Sequence, residues 1–134
     1  MKKRTKSAIG KQNRKRGQDF ERLVAKELAK VWPEARRNLS QTRTAKKEGG
    51  DILGVPFHAE CKSGKRVDLR TAWAQAVVDS GDSMRAVVLY KEGRQLMAMC
   101  MMPVSSLLSV FPRMPLHDYI AYRSFLERSE ANAR

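Results

Sequence analysis

Apolar positions along the chain repeat with two different periods. Between Gly17 and Pro33, Phe20, Leu23, Val24, Leu28 and Val31 recur at offsets 0, 3, 4, 8 and 11, the spacing of one helix face, and the proline closes the run. Arg22, Lys26 and Lys30 occupy the solvent face. Glu21 does not join them, because Ala25 and Leu28 follow it by four and seven residues and place it along the edge of the apolar stripe. A strand is expected around Arg36 to Thr42. From Gly49 the period shortens: "GGDILGVPFHAECKSGK" reads as a hairpin broken at Gly54-Val55-Pro56, in which Phe57, Ala59 and Cys61 alternate with His58, Glu60 and Lys62. Asp68 then caps a second helix with the stripe Leu69, Ala72, Trp73, Ala76, Val77 and Ser80. "MRAVVLY" and "QLMAMCMM" predict two strands joined at Glu92-Gly93, the first apolar enough to be central. Met97, Met99 and Met101 share a face, as core filler or, alternatively, as a dimer interface. A short helix near Ser105 to Val110 and an amphipathic helix from about Leu116 to Glu130 complete the series.

Charge changes this picture most. The chain carries 27 basic against 14 acidic residues, net +13, an excess that points to a polyanionic partner, nucleic acid ahead of an anionic membrane. Lys2, Lys3, Arg4, Lys6, Lys11, Arg14, Lys15 and Arg16 all precede the first acid, Asp19, and nothing around them is periodic or apolar. Residues 1–16 are therefore expected to be a basic, flexible tail, with 17–134 as a single domain. A second basic cluster, Arg36, Arg37, Arg43, Lys46 and Lys47, surrounds Ser40, Thr42 and Thr44, and Gly49-Gly50 would let the backbone approach a bulky partner. Arg14, Lys15, Arg16, Arg43, Lys46, Lys47 and Lys65 are the candidate DNA contacts.

Other compositional features mainly exclude. At 134 residues the chain has the length of one domain with a core of its own. No run of about 18 apolar residues spans a bilayer, and no apolar signal core follows the basic start, so a soluble, intracellular protein is expected. Cys61 and Cys100, the only cysteines, cannot build a disulfide framework or a four-ligand zinc site, and read as reduced core thiols. No internal repeat is present.

The acids of the hairpin call for an explanation. Period two sets Glu60 and Lys62 on the face opposite Phe57, Ala59 and Cys61. Asp51 lies on the preceding strand, and with strands about 4.8 Å apart its carboxylate can meet that of Glu60. Two carboxylates held together repel unless a proton or cation lies between them, and hard oxygen ligands suit Mg²⁺. Lys62 would assist a water or neutralise charge on a phosphoryl oxygen. These are the parts needed to hydrolyse a phosphodiester.

"GQDFERLVAKEL", "GGDI" and "HAECK" together resemble the PD-(D/E)xK nuclease superfamily, and within it the archaeal-type Holliday junction resolvases and their phage relatives. The resemblance covers about residues 14 to 102. It implies an α/β fold with a restriction-endonuclease-like core, a mixed central β-sheet flanked by helices. It further implies Glu21, Asp51, Glu60 and Lys62 as catalytic residues, with Glu21, Asp51 and Glu60 on the metal. Gln75, on the helix after the E-x-K strand, is carried as a fifth candidate. Mg²⁺, with Mn²⁺ able to substitute, branched or four-way-junction DNA, a homodimer, and the cytoplasm of a bacterial, archaeal or phage-infected cell are implied in the same way. A hydroxyl before the metal aspartate has a role in the resolvases, and Ser40, Thr42 and Thr44 compete for it. His58 shares the Glu60 face and is a further candidate ligand or proton carrier. Two departures stand out: Gly50 replaces the proline of the motif, and the short hairpin leaves little substrate-binding elaboration. Two other functions compete, a nuclease acting on ordinary duplex and a basic nucleic-acid-binding protein that cuts nothing. No helix-turn-helix or zinc-finger pattern supports the latter.

Overall fold

The computed structural model describes residues 3, 5–39, 49–103, 105 and 108–133. Three helices, α1 (Lys6–Leu28), α2 (Leu69–Ser80) and α3 (Leu116–Asn132), flank a mixed sheet. Its strands are β1 (Arg36–Arg37), β2 (Ile52–Leu53), β3 (His58–Cys61), β4 (Ala86–Glu92), β5 (Gln95–Cys100) and, after the separate pair β6 (Met102–Pro103) and β7 (Ser109–Val110), β8 (Arg113–Pro115). The six-stranded sheet runs in the order β1-β2-β3-β4-β5-β8, and only β3 and β4 are parallel, as the α2 crossover between them requires.

Strand alternation divides the core in two. Ala59, Val87, Leu89, Ala98 and Cys100 point to one face, where α1 supplies Phe20, Val24 and Leu28 and α3 supplies Leu116 and Tyr119. Val88, Tyr90, Met97 and Met99 point to the other, under Ala72, Leu69 and Trp73 of α2. Met97 and Met99 are therefore core residues. β4 is buried from Ala86 to Tyr90, as its unbroken apolar run predicts. Asp68 caps α2 by accepting from the Thr71 N–H at 3.2 Å and the Thr71 hydroxyl at 2.8 Å, and these bonds hold its carboxyl below the usual range.

Three expectations are corrected. α1 starts at Lys6, inside the segment expected to be a flexible tail, with Thr5 accepting from the Ala8 N–H. Its first half is almost wholly exposed and carries Gly10 and Gly17, so it extends a helix whose nucleation is secured by the buried Phe20–Leu28 half. At its other end α1 stops at Leu28, which leaves Val31 exposed, while Trp32 packs edge-on against Phe57 at 5.6 Å. The helix expected near Ser105 to Val110 is instead the β6–β7 pair, turned by mutual backbone bonds between Ser105 and Leu108.

Gly50 shows why the hairpin tolerates no side chain there. A Cβ at this position would overlap the Ala59 carbonyl and lie 2.8 Å from the Ala59 nitrogen. The close approach that Gly50 permits is thus to β3, not to a bound partner, and the proline of the resembled motif would not fit this backbone. Gly50→Ala is expected to destabilise the protein by about 1–3 kcal/mol or more, read as a lower midpoint in urea unfolding with unchanged slope. An unchanged midpoint would contradict the packing described.

Candidate functional site

Asp51 is held by backbone on both sides. Its N–H donates to the Ala59 carbonyl at 2.7 Å, and its own carbonyl accepts from the Asn38 N–H at 2.9 Å. Asp51 is 4% exposed, and its Oδ2 accepts the Cys61 N–H at 2.7 Å. Asn38, itself buried, completes the clamp by donating from Nδ2 to the Gly50 carbonyl at 2.9 Å. Sequence reasoning missed Asn38, because an asparagine after two arginines in a basic stretch carries no periodic signal of burial.

Glu60 stands across from Asp51, since Ile52 pairs with Ala59 and the next residues outward are these two acids. By alternation both lie on the α2 side of the sheet. Glu60 is 7% exposed; its Oε1 lies 3.5 Å from Lys62 Nζ and its Oε2 3.9 Å from His58 Nε2. Lys62 is anchored through its backbone N–H to the Leu89 carbonyl, and its side chain remains 42% exposed. The E-x-K pair thus has one buried acid and one base free to reach outward.

Glu21 behaves differently. It lies on α1, which packs on the opposite sheet face, and its Oε2 accepts from Arg37 Nε at 2.9 Å. Arg37 precedes the Asn38 clamp, so Glu21 braces the Asp51 segment from behind. Both residues line a cleft of about 590 Å³ together with Arg14, Gly17, Gln18 and Asn38.

Gln75 lies exposed on α2, and its Nε2 donates to Asp79 Oδ1 at 2.9 Å. Asp79 in turn belongs with His58 and Glu60: one ligand atom from each lies within 4.8 Å of the others. Among the described residues this is the group of three His, Cys, Asp or Glu side chains so arranged, and Glu21 and Asp51 are outside it. Asp79 had no sequence signal beyond being an acid near the end of a helix.

Between the basic half of α1 and the loops beyond β3 and β4 lies the largest cleft described, about 840 Å³. Lys15 and Arg16 line it from α1, Lys65 from the β3–α2 loop and Lys91 from β4, against one acid, Asp19. Ser63, Gly64 and Lys65 line it from the loop that follows the E-x-K strand, on the side of the sheet that α1 covers. Arg43, Lys46 and Lys47, with Ser40, Thr42 and Thr44, lie outside the described residues, as do Lys2 and Arg4.

Trp73 is half-buried, packed on the α2 core cluster and edge-on to Phe111 at 4.8 Å. Neither cysteine is in a disulfide; burial pushes the Cys100 thiol up to about 11, so it stays protonated at neutral pH. Among the described residues no helix is long and apolar enough to cross a membrane. Family models, curated proteins and solved structures give no match to the chain.

Proposed function

We propose that this chain is a divalent-metal-dependent DNA endonuclease of the PD-(D/E)xK type, acting on branched DNA as a Holliday junction resolvase. The observation that carries the reading is Asp51, immediately before β2, opposite Glu60 on β3, both more than nine-tenths buried, with Lys62 Nζ 3.5 Å from Glu60. Two buried carboxylates call for positive charge nearby, and Lys62 supplies part of it at Glu60. The sheet order, with the E-x-K strand beside a parallel central strand and helices on both faces, accords with a restriction-endonuclease-like core.

Asp51 and Glu60 offer the hard oxygen donors that Mg²⁺ or Mn²⁺ takes, so the residues fit such an ion. Bound there, the ion supplies Lewis-acid polarisation of the scissile phosphoryl group. Lys62, exposed at its tip, neutralises charge gathering on a phosphoryl oxygen or orients the attacking water. Glu21 acts as a positioning residue through Arg37, while Gln75 is engaged with Asp79 and takes no part in this scheme. Lys15, Arg16, Lys65 and Lys91 line a cleft that tracks the phosphate backbone. A homodimer would present two such centres to the two strands of a junction, and Leu108, Val110 and Phe111 form an exposed apolar edge for it.

Incubating the protein with end-labelled four-way junction, linear duplex and single strand in Mg²⁺ tests the reading. Selective junction cleavage supports it; equal cutting of duplex transfers the chemistry to an ordinary duplex nuclease; binding without cutting leaves a non-catalytic nucleic-acid-binding protein.

The basic arm contributes affinity in this scheme, not chemistry. Deleting residues 1–16 removes eight positive charges, and the described residues among them are exposed apart from the half-buried Gly10, so the fold should persist. DNA affinity should fall and its salt dependence flatten, while single-turnover cutting at saturating protein survives. Undiminished affinity at every salt concentration would assign the arm another task.

A further inference from the structure

β3 sets His58 and Glu60 two residues apart on the α2 side of the sheet, each 7% exposed. The last turn of α2 carries Asp79 over them, which brings three candidate ligand atoms within 4.8 Å of one another from two separate elements. His58 Nε2 faces Glu60 Oε2 at 3.9 Å, while Lys62 occupies the other oxygen's side at 3.5 Å. Asp79 is exposed and closes the group towards solvent, so an ion has a route in. A cavity of about 300 Å³ adjoins His58 and Asp79 and is lined also by Ser80 and Arg85. Gln75 fixes the Asp79 carboxylate through Oδ1, the kind of outer contact that orients a metal ligand.

From this geometry we infer that His58, Glu60 and Asp79 form a site for a first-row transition dication of the Zn²⁺ class, sharing only Glu60 with the proposed Mg²⁺ pair. An imidazole beside carboxylates favours Zn²⁺ over Mg²⁺, which takes oxygen ligands and dehydrates reluctantly. Two carboxylates and a neutral imidazole compensate the ion's two charges. Because one ligand comes from α2 and two from β3, the bound ion ties the end of that helix to the sheet and raises the unfolding temperature. The inference stands without the nuclease reading, since it concerns binding to the protein alone.

The test uses metal-free, full-length protein titrated with Zn²⁺ against a chromogenic chelator, with thermal unfolding in Zn²⁺ or equal Mg²⁺. One equivalent of Zn²⁺ should bind and raise the unfolding temperature, with a much smaller rise in Mg²⁺. His58→Asn and Asp79→Asn should each weaken Zn²⁺ binding about tenfold or more. Asp79 is at the surface, so its variant keeps the test valid even if the buried His58 change impairs folding. His117→Ala, at the exposed His117–Asp118 pair, should bind as wild type does. Asp51→Asn, which disrupts the proposed Mg²⁺ pair, should lose cleavage but retain Zn²⁺ binding. No Zn²⁺ binding by the wild type, or affinity undiminished by Asp79→Asn, would overturn the inference while leaving the nuclease reading to its own experiment.

Discussion

Asp51→Asn and Glu60→Gln are expected to abolish strand cleavage while DNA affinity holds or rises. Each substitution removes one negative charge and one strong donor to a divalent ion, yet keeps the shape of the side chain. At Asp51 the fold should survive, because an amide oxygen can still accept the Cys61 N–H that now goes to Oδ2. At Glu60 the change relieves the burial of a charge but removes the partner of Lys62. Loss of a carboxylate also lowers repulsion towards phosphate, so binding and catalysis should separate. The measurement is single-turnover cleavage of a labelled junction at saturating protein, beside a binding isotherm in Ca²⁺. A drop on the order of 10² or more in rate with unchanged affinity is the expected result. Cutting at near wild-type rate by either variant would rule out the Asp51–Glu60 centre.

Lys62→Ala should separate equally sharply from Lys65→Ala, although the two lysines are three residues apart on one loop. If Lys62 neutralises charge in the transition state, its loss should cost on the order of 10² or more in single-turnover rate, with DNA and metal binding little changed. Lys65 lines the basic cleft and has no carboxylate partner among the ion pairs described, so it serves as the control for a plain phosphate contact. Lys65→Ala should weaken binding uniformly across sequences and reduce the salt slope by about one, with cutting at saturation untouched. Should both lysines behave as affinity residues, "HAECK" loses its mechanistic role and the non-catalytic binding protein becomes the better account.

Much of the architecture was legible because local periodicity and tertiary burial agree. The α2 stripe needed only the offsets of Leu69, Ala72, Trp73, Ala76 and Val77 and an aspartate at the right place to cap it, and all of these fall as the pattern requires. The hairpin was similarly readable: alternation alone assigns Ala59 and Cys61 to one face and Glu60 to the other, and the Ile52–Ala59 pairing brings Asp51 opposite Glu60. The start of α1 was not, because a segment rich in Lys and Arg has the same composition whether it is disordered or extends a helix nucleated elsewhere.

Periodicity records how side chains turn about the axis of their own element, and to that extent the amino-acid sequence by itself determined the buried half of α1, α2, α3, the central strands and the E-x-K pair. It carries no information about which distant element covers a given face. Only the tertiary structure decided that Glu21 turns to Arg37 behind the sheet, that Asn38 clamps Gly50, and that α2 lays Asp79 beside His58 and Glu60. Each depends on contacts between residues far apart in the chain, whose register is set by packing the two faces of the sheet at once. Gly50 is the clearest instance. Its lack of a side chain reads locally as freedom, but it is required by the backbone of β3 pressing against it.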